Sequence, residues 1–90
     1  MSVTVHVPSA FRRFTAGQSN FACNALDLDG LLAYVSQSLP ELATHIRDES
    51  GKLRRFINVY VNDEDIRFLE KGWQLKDGDE VFLVPSIAGG

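Results

Sequence analysis

An apolar stripe of helix length, set between segments of period two, most constrains the fold open to this chain. Leu28, Leu31, Leu32, Val35 and Leu39 recur at the spacing of one buried helix face. Asp27 precedes them as a candidate N-cap. Gly30 weakens the first turn. Pro40 stops the helix and opens a short second one through Leu42 and Ile46. Upstream, Val3, Val5 and Val7 alternate with Thr4 and His6, the pattern of a half-buried strand, which Pro8 and Ser9 end. Phe11 to Gly17 reads as a connection. Gln18 to Cys23 reads as a shorter strand that closes an antiparallel hairpin.

Downstream, Asp48 to Lys52 reads as a polar loop and Phe56 to Val61 as a strong strand. Asn62-Asp63 signals a turn, after which Ile66 to Phe68 is expected to pair back. Asp77-Gly78-Asp79 is a second turn, and Val81 to Val84 is the last strand, ended by Pro85. The order is strand, strand, helix, strand, short strand, strand. It predicts an α+β domain with one main helix across one face of a mixed sheet. Residues 1–85 form that domain, and residues 86–90 form a tail with no reason to be ordered.

Bulk properties exclude several classes. Ninety residues suffice for one small domain. A single cysteine rules out an internal disulfide, and this fits a reducing cytosol. No apolar run is long enough to cross a membrane. The first residues lack the basic start and apolar core of a signal peptide. A net charge of −3 argues against general nucleic-acid binding and favours a partner with a basic surface. The expectation is a cytoplasmic protein that meets neither nucleic acid nor membrane.

Chemistry concentrates at the end of the chain. With glycine at about 7% of residues, roughly one chain in 200 ends in two glycines by chance. Gly89-Gly90 therefore gains weight from position: it finishes an arm that leaves the last strand and can reach ~20 Å when extended. Glycine has no Cβ, so such an arm fits a channel too narrow for other residues. In the last strand, Val81 and Leu83 are expected to face the core, which turns Phe82 and Val84 outward beside the arm.

The remaining candidates have plainer readings. Cys23 lies on a strand with no adjacent histidine and reads as a buried structural residue. His6 and His45 lack a metal-ligand pattern. Asp63-Glu64-Asp65 lacks the spacing and glycine of a calcium loop and reads as a solvated turn. Arg12-Arg13 and Lys52, Arg54 and Arg55 could form a basic patch for a phosphorylated ligand or an acidic partner, with solvated loop charges as the default. Trp73 reads as a rim or core residue. The chain has no metal site or bound cofactor by this reading.

The run Leu75-Lys76-Asp77-Gly78-Asp79-Glu80-Val81, the strand Phe82-Leu83-Val84-Pro85 and the ending Ala88-Gly89-Gly90 resemble the C-terminal signature of the MoaD/ThiS sulfur carriers. The segment from Lys52 to Phe68 most resembles the CysO-type cysteine-biosynthesis carriers within that family. The resemblance covers nearly the whole chain and implies the ubiquitin-like β-grasp fold. It implies a carrier protein, not an enzyme, whose Gly90 is adenylated by an E1-like partner using ATP and magnesium and then becomes a thiocarboxylate. Ile87, Ala88 and Gly89 would form the arm that delivers it. A sulfur-accepting enzyme would follow: a PLP-dependent cysteine synthase with a metallopeptidase to release the product, or an enzyme that delivers the sulfur to a siderophore, a thiosugar or another metabolite. Pro8 lies where related carriers contribute to an apolar docking patch, together with the outward Phe82 and Val84. Asp65 departs from the apolar residue usual at another such position. The small subunit of a molybdopterin synthase, a protein modifier joined through Gly90, and a plain binding domain with an accidental ending remain open alternatives.

Overall fold

The computed structural model describes residues 2–86. The expectations for Ile87, Ala88, Gly89 and Gly90 lie outside the described residues. Strands β1 (Val3–His6) and β2 (Asn20–Cys23) form the expected antiparallel hairpin, in register from Val3↔Cys23 to His6↔Asn20. Their connection is more regular than expected. Ser9–Phe14 winds into a 3-10 helix that buries Phe11. The chain then reverses through Ala16 and Gly17, both at positive φ, and the buried Thr15 hydroxyl lies 2.8 Å from the Gln18 carbonyl.

Helix α1 (Leu28–Ser38) begins where its cap requires: the Asp27 carboxylate accepts the Gly30 N–H at 2.9 Å. Leu31, Leu32 and Val35 are buried, with Leu28 and Leu39 packed against them. Gly30 has a use beyond its poor propensity. A Cβ there would stand 3.3 Å from the capping oxygen and 3.6 Å from the Ala25 methyl. Pro40 opens α2 (Pro40–Ile46), which buries Leu42, Ala43 and Ile46. Arg47 ties both helices to the next loop by donating to the Gly51 and Leu32 carbonyls and the Ser36 hydroxyl.

Strand β3 (Ile57–Val61) turns into the two-residue strand β4 (Glu64–Asp65). The return pairing is made by Glu64 and Asp65, not by Ile66 to Phe68 as expected. Asn62 and Asp63 both take positive φ, 49° and 73°, which makes the tightest hairpin and restarts the strand at Glu64. Ile66–Phe68 then forms a 3-10 turn because the Asp65 carboxylate accepts the Arg67 N–H at 2.9 Å.

Strand β5 (Glu80–Pro85) completes a mixed sheet ordered β2-β1-β5-β3-β4, parallel to β1 and antiparallel to β3. Pro85 does not end the strand but is its last paired residue, opposite Ile57. Val3, Val5, Ile57, Val59, Val81 and Leu83 belong to the same buried core as α1 and α2. This is the β-grasp fold.

Two outcomes follow from the packing. Leu42 is fully buried, so Leu42→Ala should cost about 2–5 kcal/mol, read as a lower denaturation midpoint with an unchanged slope. The Arg67 guanidinium, then the Arg67 N–H, hold the Asp65 carboxyl below the ordinary aspartate range. Its stabilisation is therefore present at neutral pH and fades as pH falls through that lowered value. Asp65→Asn should be less stable than the parent at pH 7, and the gap should close at strongly acid pH in parallel denaturation curves.

Candidate functional site

The alternation along β5 decides what this end of the sheet displays. Val81 and Leu83 are buried, Phe82 is half-buried, and Val84 remains 40% exposed. In the parallel ladder with β1, His6 stands beside Phe82. Their rings stack with centroids 4.2 Å apart and planes 6° from parallel. The His6 Nε2 atom lies 2.7 Å from Glu80 Oε1, so both neighbours on β5 hold the imidazole.

Just past this point the two central strands part. The β1–β5 ladder stops at His6↔Phe82, whereas the β3–β5 ladder runs on to Ile57↔Pro85. Val7 instead bonds to the Ser19 carbonyl, and Pro8 leads away into the 3-10 helix. The gap left beside Leu83, Val84 and Pro85 is a shallow groove of about 430 Å³. Pro8, His6 and Phe82 line its apolar part, and Arg12 stands at its edge with Nε donating to the Val7 carbonyl. Pro8, Phe82 and Val84 are thus brought together at the root of the arm.

Two neighbours of this region were missed in the sequence. His6 carries the signal, since it alternates outward with Thr4, but nothing local in the sequence joins it to Phe82 seventy-six positions away. Phe56 was read only as a strand residue. It is 43% exposed, and its carbonyl accepts the Ser86 N–H at 2.6 Å, so it borders the last described residue of the arm. Asp65 does not open onto the groove. It is buried against its own turn and paired with Arg67 at 2.7 Å, which corrects the solvated reading at this one position; Asp63 and Glu64 are exposed as expected.

The other candidates stay apart. Cys23 is buried and unpaired with another cysteine. His45 stacks on Phe14 with ring centroids 3.9 Å apart, whereas His6 stacks on Phe82. Among the described residues no cluster of three or more His, Cys, Asp or Glu could hold a metal ion. No helix among them is long and apolar enough to cross a membrane. Trp73 packs half-buried against the core.

Known proteins share this architecture over the described residues. The sequence matches the ThiS family over residues 5–90. It is 37% identical to the sulfur carrier protein CysO of Mycobacterium tuberculosis, with the whole of both chains aligned. CysO in the BexX/CysO complex of Amycolatopsis orientalis superposes with a TM-score of 0.82 at 37% identity, over 98% of this chain and 99% of that one. The small archaeal modifier protein 1 of Methanosarcina acetivorans superposes with a TM-score of 0.81 at 28% identity, over 99% and 96%. Because the family match, the full-length identity and the shared β-grasp sheet all cover the same residues, this chain belongs to the ThiS family.

Proposed function

We propose that this chain is a sulfur carrier that works through the carboxylate of Gly90. A separate E1-like enzyme supplies ATP and magnesium. The Gly90 carboxylate attacks the α-phosphorus of ATP, and pyrophosphate leaves. Hydrosulfide from the sulfur donor then attacks the acyl carbon of the adenylate, AMP leaves and the thioacid loses its proton, so that Gly90 ends as a thiocarboxylate. A carboxylate oxygen is a poor leaving group, and adenylation replaces it with a good one. The end-to-end match to a sulfur carrier carries this reading. The apolar groove beside Pro85 supports it, because an enzyme that takes the arm also needs a grip on the domain at the arm's root.

Within this reading Phe82, Val84 and Pro8 form the docking patch, and Ile87, Ala88 and Gly89 form the arm. The sulfur goes to cysteine biosynthesis: a PLP-dependent cysteine synthase would accept the thiocarboxylate sulfur, and a metallopeptidase would release the new cysteine from Gly90. The single cysteine is free and buried, which suits a carrier that works in the reducing cytoplasm. A second reading, conjugation of Gly90 to lysines of other proteins, is favoured by the 28% identity to an archaeal modifier protein. It uses the same adenylate with an amine in place of the sulfur donor.

Intact mass after incubation with the adenylating enzyme, ATP and a sulfur donor should show one oxygen replaced by sulfur, and a chain lacking Gly90 should show no change. Isopeptide adducts in place of that product would favour the second reading. Val84→Asp puts a charge into the groove at an exposed position. It should lower kcat/KM for sulfur loading by about 10–100-fold through KM, with the denaturation midpoint little changed.

A further inference from the structure

The charges of this domain are sorted along its strands, and the sorting opposes its net charge. The arm-bearing strand β5 sits between β1 and β3. At the end where the arm leaves, each neighbour is flanked by an arginine. Arg12 follows β1 and lines the groove with Val84 and Pro85. Arg55 precedes β3 and adjoins Phe56, whose carbonyl holds the Ser86 N–H. Both side chains are exposed, and neither has a carboxylate partner among the described residues. Arg54 nearby is less available, because its charge helps to hold the Asp48 carboxyl below the ordinary range.

The other end of the same strands is acidic. Asp77 accepts the Ser2 N–H, Asp79 accepts from Asn62 and from the Lys76 N–H, and Glu80 begins β5. Asp63 and Glu64 lie in the adjoining hairpin. Arg12 and Arg55 therefore stand by the end of β5 and the carboxylates, with Lys76 among them, gather at its start, although the whole chain carries −3. The net charge alone favours a basic partner, but the placement of the charges reverses that expectation at the surface that matters.

We propose that the arm end docks to a partner protein whose apolar mouth is bracketed by two groups of carboxylates, one for Arg12 and one for Arg55. The proposal rests on the carrier reading for the identity of that partner, the adenylating enzyme. Arg12 follows β1 beside the groove and Arg55 precedes β3 beside the cavity that also holds Asp65 and Arg67, so the two lie in segments on either side of β5, and paired carboxylates on the partner would set the rotation of the domain. The acidic far end is repelled by the same carboxylates, so encounters present the arm first.

The test is the association rate of the full chain with the adenylating enzyme of the same organism, immobilised, between about 20 mM and about 500 mM salt. Arg12→Glu/Arg55→Glu should slow association about tenfold or more at low salt, with dissociation changed less and the gap closing at high salt. Lys71→Glu/Lys76→Glu changes net charge equally, away from the arm, and should cost much less. Arg12→Lys/Arg55→Lys should keep the parent rate, which separates charge from the Arg12–Val7 hydrogen bond. Denaturation midpoints confirm that each variant is folded. Equal losses in the two glutamate doubles, a rate indifferent to salt, or no binding by the parent chain would each overturn the proposal. Salt-dependent binding without sulfur loading would instead overturn the carrier reading and leave the docking surface standing.

Discussion

The parallel pairing of β1 with β5 holds this domain together. It joins residues more than seventy positions apart, from Thr4↔Glu80 to His6↔Phe82. Loop closure on that scale is costly in entropy, though the cost grows slowly with length. The burial of Val3, Val5, Val81 and Leu83 between the sheet and the helices offsets it. Backbone bonds from Thr4 to Asp79 and from Gly78 to Ser2 fasten the start of both strands. Because the last strand lies in the middle of the sheet, the arm it carries grows from a strand that is paired on both sides as far as Phe82.

The groove is a consequence of where that pairing stops. β1 is released after His6 because Pro8, with no N–H to donate, turns the chain into a 3-10 helix. β5 continues for three residues supported only by β3. The side chains that a continuous sheet would have covered, Val84 and the outer face of Phe82, are left beside a concavity. His6 keeps the Phe82 ring in place by stacking, and Glu80 keeps His6 in place in turn. A local failure of strand pairing thus produces an apolar surface with a fixed shape.

Much of this was legible in the sequence, and the exceptions have physical causes. The helix at Leu28–Ser38, its Asp27 cap and the helix opened by Pro40 follow from side-chain period and local capping, which are properties of short segments. The inward and outward assignments of Val81 through Val84 follow from the strict two-residue period of a strand. The β3–β4 register was not legible, because it depends on two non-glycine residues both accepting the left-handed region at Asn62 and Asp63. Asp65 was misread for the same reason. Its burial depends on a turn geometry that folds Arg67 back upon it, and charge type alone argued for solvent. The grouping of Pro8 with Val84 could be anticipated only through family resemblance, since the strands that bring them together are distant in sequence.

Net charge was the least informative sequence quantity for recognition. It sums over both ends of strands whose ends meet different partners. β1, β5 and β3 all begin or end in turns, and turns are where charged residues accumulate. In this topology the turns at one end are rich in Asp and Glu, for reasons of backbone capping: Asp77 and Asp79 accept backbone N–H groups, and Asp79 also bonds the Asn62 side chain. At the far end the 3-10 helix carries Arg12 and the segment before β3 carries Arg55 instead. The local chemistry that closes one end therefore leaves the other end positive by contrast. Whether the domain attracts or repels an approaching protein is decided by which end faces it, and the arm fixes which end that must be.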